Sequence, residues 1–77
     1  MATLNVTLSS ISDVKRFVSA ACSQACDIDL VAGRYVVDAK SIMGIFSIDL
    51  SKTITVEVHG SETETEAFRQ AIAEYLV

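Results

Sequence analysis

The sequence predicts an open-faced α/β (α+β) sandwich, in which helices cover one face of an antiparallel sheet. Four segments alternate apolar and polar residues as half-buried strands do, and two longer segments repeat apolar residues at helical spacing. Glycines and capping residues stand between these segments. Because each strand pattern has one apolar face, we expect the sheet to be covered on one side and open to water on the other.

The N-terminal third predicts one strand followed by one helix. The segment TLNVTL alternates, and Ser10 with Asp13 three residues later forms an expected capping box. Apolar residues at helical spacing then predict a helix that ends near Ala25. Its expected apolar stripe consists of Val14, Phe17, Val18, Ala21, Cys22 and Ala25.

The rest of the chain predicts a hairpin, a further strand and a last helix. DIDLV and RYVVDA alternate on either side of Ala32-Gly33, which is typical of a hairpin turn. TITVEVHG predicts the fourth strand, with Thr55, Glu57 and His59 on its solvent face. Ser61 and Glu64 form a second capping box before the last helix. The apolar stripe expected for that helix is Phe68, Ala71, Ile72 and Tyr75.

The segment DAKSIMGIF lies between the third and fourth strands and is unusually apolar after its serine. Its apolar residues are too few for a long helix, and Gly44 weakens the strand interpretation. Ser41 is a good N-cap, so the segment predicts a short helix from about Ile42 to Ser47. The predicted order is β-α-β-β-α-β-α, in a single domain that spans residues 1–77.

Composition excludes several classes of function. A net charge of −4 and a pI near 4.6 argue against nucleic acid as a partner, because phosphate binding normally needs a basic surface. The chain has no apolar run long enough to span a membrane and no secretory signal pattern, so we expect a cytoplasmic protein. Cys22 and Cys26 fit neither a redox motif nor a zinc site, and we expect both to be reduced and partly buried.

No enzyme signature emerges from the remaining polar residues. The only histidine, His59, ends a strand on its solvent face with no catalytic partner fixed beside it in sequence. The three glycines stand at separate breaks, so they form no phosphate-binding loop. We therefore expect no catalytic site, no cofactor and no metal. Ser41 remains, either as a plain helix cap or as a hydroxyl that accepts a phosphate.

The segment AKSIMGIFSIDL, residues 39–50, closely resembles the regulatory segment of HPr, the phosphocarrier of the bacterial sugar phosphotransferase system, in its Gram-positive form. In that family a KSIMG run carries the serine that HPr kinase/phosphorylase phosphorylates. The RFVSAA run in the first helix and the order of elements fit the same family, so the resemblance covers nearly the whole chain. It implies an HPr-like open-faced β-sandwich of four antiparallel strands, with three helices on one face.

The resemblance is lost at the family's active-site histidine. HPr carries its phosphoryl group on a histidine in a GLHARPA-like loop between the first strand and the first helix. Here SSISDV runs directly into the helix, and His59 on the fourth strand does not match that position. We therefore expect no phosphoryl relay through histidine, and we interpret Ser10 and Ser12 as helix caps.

The resemblance also implies a regulatory site. Ser41 would be the phosphorylated residue, and Asp49 stands where a glycine is common in the family. The implied docking residues, which divide between docking and core, are Lys40, Ile42, Met43, Ile45 and Phe46. The implied partners are HPr kinase/phosphorylase and a catabolite control regulator or components of the phosphotransferase system. Two alternatives remain open: a phosphocarrier with a non-standard site, and an HPr-fold scaffold that is not phosphorylated.

Overall fold

The computed structural model describes residues 2–77 and contains one four-stranded antiparallel sheet with three α-helices. The elements are β1 (Ala2–Val6), α1 (Ile11–Cys22), β2 (Asp27–Ala32), β3 (Tyr35–Asp38), α2 (Ile42–Phe46), β4 (Ile54–His59) and α3 (Glu62–Ala71), followed by a 3₁₀ turn at Ala73–Tyr75. This order confirms the predicted β-α-β-β-α-β-α arrangement and the open-faced sandwich. Among residues 2–77, no helix is both long enough and apolar enough to cross a membrane.

The sheet has the strand order β1-β4-β2-β3, so β4 lies in its interior although it is the last strand in the chain. Val56 of β4 is the register partner of Leu4 on β1 and of Leu30 on β2. Alternate β4 side chains are buried toward the helices, namely those of Ile54, Val56 and Val58. Glu57 and His59 lie on the opposite, open face, as their alternation predicted.

The hydrophobic core lies between the sheet and the helices. The rings of Phe17 on α1 and Phe68 on α3 meet edge to face, with centroids 5.6 Å apart and planes at 74°. Such a pair contributes about 0.5–1.5 kcal/mol beyond the area that it buries. Ile45 of α2 is also completely buried in this cluster, so each of the three helices supplies a core side chain.

The hairpin between β2 and β3 turns at Gly33, which has a φ of 62°. A side chain is disfavoured in that left-handed conformation, which explains the glycine that predicted the turn. β3 is an edge strand, and both Tyr35 and Val36 are largely exposed. The expectation of one clean apolar face per strand therefore fails for β3. Val36 is the register partner of Val31 on the open face, whereas Tyr35 shares the helix-covered face with Val37 but is left exposed at the end of the strand.

Two helix ends differ from the predicted ones. α1 ends at Cys22 and not near Ala25, since the Ser23 hydroxyl donates to the Ala20 carbonyl at 2.6 Å and the next backbone bond tightens to the 3₁₀ spacing. α3 ends at Ala71, which is exposed and not part of the apolar stripe. Ile72 and Tyr75 are buried as predicted, but both lie beyond the helix: Ile72 is its C-cap, and Tyr75 ends the 3₁₀ turn that follows.

The two predicted capping boxes are not equally complete. At α3 the Ser61 hydroxyl accepts from the Glu64 amide, and the Glu64 carboxylate accepts from the Ser61 amide. At α1 the Ser10 hydroxyl accepts from the Asp13 amide, but the Asp13 carboxylate accepts from the amide and hydroxyl of Ser9. At α1 the N3 carboxylate of Asp13 therefore accepts from Ser9 and not from the amide of the N-cap residue Ser10, as a capping box would require.

Candidate protein-docking surface

Ser41 begins α2 as the N-cap that the sequence predicted. Its backbone is extended, with φ −106° and ψ 105°, and its hydroxyl oxygen accepts a hydrogen bond from the Gly44 amide at 3.2 Å. Asp38 holds the preceding turn, because its carbonyl accepts from the Ser41 amide and its carboxylate from the Lys40 amide. The capping bond holds the Ser41 hydroxyl in place. Because Ser41 is exposed, this hydroxyl is accessible to other proteins.

Gly44 keeps the space around this hydroxyl clear. A Cβ atom at position 44 would lie 3.2 Å from the Ser41 oxygen and 3.4 Å from the Val37 Cβ. Any other residue would therefore crowd the cap, and its Cβ would fill the remaining space between α2 and β3. The glycine that weakened a strand interpretation has a packing role in the observed helix.

The apolar side chains of α2 divide between the core and the solvent. Ile45 is 0% exposed, whereas Met43 is 76% exposed and Phe46 is 42% exposed. Ile42 is partly buried against the core. We call the exposed residues Ser41, Met43 and Phe46, together with the partly buried Ile42, the α2 surface. Ile45 therefore belongs to the core part of the set that the resemblance divides between docking and core, and its side chain faces away from the solvent.

Lys40 connects α2 to the end of α1. Its ammonium group donates to the carbonyl of Gln24 at 2.9 Å, and its own carbonyl lies 3.9 Å from the Cys22 sulfur. This bond stabilises the junction between the two helices, which gives Lys40 a structural role beside any docking role. Both cysteines are free thiols. Cys26 is partly buried as expected, but Cys22, the last residue of α1, is exposed, so the expectation of partial burial is wrong for Cys22.

Asp49 lies just beyond the C-terminal end of α2. Its carboxylate accepts from the hydroxyl of Ser51 at 2.6 Å and from the Ser51 amide at 2.9 Å. These two bonds hold the pKa of the Asp49 carboxyl below its ordinary value of 3.8. The aspartate therefore closes a local turn, and its negative charge lies beside a groove that Tyr35, Ile48 and Lys52 also line.

A polar cluster on the open face of the sheet was not predicted from the sequence. The His59 Nε2 atom lies 3.1 Å from Asp29 Oδ2 and 3.9 Å from Glu57 Oε1. Asp29 and Glu57 are register partners on β2 and β4, and Asp27 is the partner of His59. The prediction that His59 is exposed on the solvent face of its strand is confirmed, but its pairing with a residue 30 positions earlier depends on the strand order. The sequence signal that could have indicated this cluster was the series of alternating polar residues in DIDLV and TITVEVHG.

The junction between β1 and α1 comprises residues 7–10 and contains no histidine. Leu8 is buried there, and the Thr7 amide donates to the Tyr75 carbonyl at 2.9 Å. Ser9 and Ser10 make the capping bonds described above. The polar groups of this junction thus begin the helix and fasten the C-terminal turn.

The family model and the solved structures that this chain resembles point to the same protein family. The family model described as "PTS HPr component phosphorylation site" matches residues 13–77. No curated protein sequence matches the chain significantly. Among solved structures, the phosphocarrier protein HPr from Bacillus anthracis str. Ames is 30% identical, with a TM-score of 0.74 over 96% of this chain and 95% of that one.

Two other solved structures have the same fold. HPr-C-His from Thermoanaerobacter tengcongensis is 25% identical, with a TM-score of 0.77 over 96% of this chain and 89% of that one. A histidine-containing phosphocarrier protein from Mycoplasma is 20% identical, with a TM-score of 0.74 over 95% of this chain and 89% of that one. With a family model that covers most of its length and a 30% identical relative matched nearly end to end, this chain belongs to the HPr phosphocarrier family of the phosphotransferase system.

Proposed function

We propose that this chain is a regulatory, protein-binding member of the HPr family that acts through the α2 surface and does not relay phosphate through a histidine. The observation that carries the proposal is the exposure of Met43 and Phe46 beside the accessible hydroxyl of Ser41. We propose HPr kinase/phosphorylase as the partner that modifies Ser41. A catabolite control regulator or a component of the phosphotransferase system would then bind the modified surface in the bacterial cytoplasm.

The arrangement of side chains on α2 supports a docking role. Ile45 anchors the helix in the core, so Met43 and Phe46 project from a fixed position. A flexible thioether and an aromatic ring are side chains that protein interfaces often bury. Because water solvates both poorly, their burial in an apolar recess of a partner would be favourable.

The position of Ser41 supports regulation of that docking by phosphate. A phosphoryl group adds about −1.5 to −2 charges near neutral pH. Placed on Ser41, this charge would adjoin the apolar part of the α2 surface, because Met43 and Phe46 follow it on the same short helix. The partner that this combination fits has an apolar recess bordered by arginine or lysine.

The location of the histidine supports the second half of the proposal. The chain has a single histidine, His59, and it lies on β4 with its imidazole within 3.1 Å of an aspartate. The β1–α1 junction, where the family resemblance puts the phosphorylated histidine, has serines instead. A serine phosphate is too stable an ester to pass its phosphoryl group onward as an imidazole phosphate does.

Phosphorylation by HPr kinase/phosphorylase with ATP tests the regulatory site. We expect the intact mass to increase by one phosphate and fragmentation to locate that phosphate on Ser41. Ser41→Ala should abolish the gain, whereas Ser47→Ala, at the exposed C-terminal end of the same helix, should leave it unchanged. A folded wild-type protein that stays unmodified would contradict the proposal and favour the scaffold alternative.

Incubation with enzyme I and phosphoenolpyruvate tests the absence of a relay. We expect no label on this chain, while an HPr that carries the histidine becomes labelled in the same mixture. Acid-labile label on this chain would show that a phosphoryl relay survives at a non-standard site, which is the phosphocarrier alternative.

A further inference from the structure

Three metal-ligating side chains meet on the open face of the sheet, away from the α2 surface. Asp29 of β2 and Glu57 and His59 of β4 each offer one ligand atom, and these atoms all lie within 4.8 Å of one another. Asp29 and Glu57 are register partners, and His59 lies two residues beyond Glu57 on the same face. The pairing of β2 with β4 holds the backbones of these three residues, so the positions from which the side chains extend are fixed relative to one another.

The charge around this cluster is not balanced by basic side chains. Among residues 2–77, no lysine or arginine makes a salt bridge with Asp29 or Glu57, and His59 is the only basic group that contacts them. Asp38 is the register partner of Asp29 on β3, and Asp27 is that of His59. Carboxylates opposite one another on neighbouring strands repel, and a bound cation would relieve that repulsion.

The donor set and its spacing favour one class of cation. One imidazole nitrogen and two carboxylate oxygens are ligands that zinc accepts, whereas calcium prefers a larger set of oxygens. Zinc–ligand bonds of about 2.0–2.1 Å in a tetrahedron separate neighbouring ligand atoms by about 3.3 Å. The His59 nitrogen lies 3.1 Å from the Asp29 oxygen and 3.9 Å from the Glu57 oxygen, and no two of the three atoms are more than 4.8 Å apart. Rotamer adjustments of the exposed side-chain ends would bring them to that spacing.

We propose that Asp29, Glu57 and His59 form a binding site for a divalent transition-metal cation of the zinc class. A water molecule would complete the four-coordinate shell on the solvent side. The site lies on the face of the sheet opposite the helices, so its occupation does not depend on the role of the α2 surface. A plain histidine–aspartate ion pair is the competing interpretation of the same contacts.

Calorimetric titration of the tag-free protein with zinc chloride tests this site. We expect saturable binding of one zinc ion, reversed by a chelator, and at least about tenfold weaker affinity for Asp29→Asn, Glu57→Gln and His59→Gln. Glu62→Gln, which removes one exposed charge from α3, should bind as the wild type does. The double variant Cys22→Ser, Cys26→Ser should also bind normally, which excludes the two free thiols as the ligands.

The imidazole signals of the wild-type protein provide a second readout that needs no variant. We expect the ring resonances of His59 to shift on addition of zinc and to remain unchanged with magnesium at the same concentration. Absence of saturable zinc binding would overturn the proposal. The proposal would also be overturned if the His59→Gln variant bound zinc as tightly as the wild type, or if the wild type bound magnesium as tightly as zinc. Either result would indicate only a diffuse attraction of cations to an acidic surface.

Discussion

At the scale of single residues, the aspartates Asp13 and Asp49 each accept hydrogen bonds from a nearby serine. The Ser9 amide, followed by the Ser9 hydroxyl, holds the pKa of the Asp13 carboxyl below its ordinary value of 3.8. For Asp49 the Ser51 hydroxyl is the larger cause and the Ser51 amide the second. Since a hydrogen-bonded carboxylate is favoured in the charged form, both groups stabilise the native state only while they are ionised.

The sign of this linkage predicts how stability depends on pH. Both pKa values are lower in the folded state, so the contribution is complete above the unfolded value of 3.8 and is lost as the pH falls through the folded value. We expect Asp13→Asn to lower the free energy of unfolding near pH 7 and to reduce its decline below about pH 4. Urea denaturation at several pH values measures both effects.

Glu66→Gln is the matched control for this prediction. Glu66 is an exposed carboxylate in the middle of α3 that accepts from Gln70, and a glutamine can still accept that bond. This variant should keep the pH profile of the wild type. If Asp13→Asn has the same profile as Glu66→Gln, the bonds from Ser9 do not stabilise the fold.

Single residues were predictable where a local motif decides their role. Ser41 and Ser61 act as the caps that their sequence contexts predicted. The partner of the Asp13 carboxylate was not predictable, because Ser9 and Ser10 are adjacent and only the path of the chain selects between them. Likewise Ile45 and Phe46 are neighbours of similar character, and only packing separates the buried one from the exposed one.

At the scale of elements, α2 is the most informative segment because one turn of helix serves two purposes. Ile45→Ala would leave a cavity in the core and should lower the free energy of unfolding by about 2–5 kcal/mol. Met43→Ala removes only exposed surface and should change it by less than about 0.5 kcal/mol. Thermal or chemical denaturation of the two variants, purified in parallel, measures the difference.

A reversed or equal pair of values would contradict the assignment of Ile45 to the core and Met43 to the α2 surface.

The Met43→Ala variant also separates a loss of docking from a loss of stability. Met43→Ala should remain fully folded and yet weaken docking, because the side chain that it removes is 76% exposed. Loss of docking in this variant cannot then be attributed to unfolding.

The number and type of elements could be predicted from the sequence, because strand alternation and helical spacing differ clearly. Their ends could not be predicted as well. α1 stops at Cys22 because the Ser23 hydroxyl competes for a helix carbonyl, and α3 gives way to a 3₁₀ turn before Tyr75. Both endings depend on side-chain bonds and packing that periodicity does not contain.

At the scale of the whole molecule, the sheet order determines what the two faces can do. β4 inserts between β1 and β2, which brings His59 and Glu57 beside Asp29 on the open face. Predicting an antiparallel sheet did not determine which strands are neighbours, so this cluster was not predictable. The α2 segment could be singled out because its residues are contiguous in sequence, although only packing decides which of its apolar side chains are exposed. The molecule thus has two separate candidate surfaces, on opposite sides of one sheet.

We propose that the α2 surface makes the contact with the partner protein. Titration of ¹⁵N-labelled protein with unlabelled HPr kinase/phosphorylase, followed through backbone amide signals, tests it most directly. We expect the perturbed signals to belong to residues 41–47 and their immediate neighbours, and we expect Met43→Ala to reduce the perturbation. Perturbation confined to the β1–α1 junction at residues 7–10, or to the open face around His59, would contradict it.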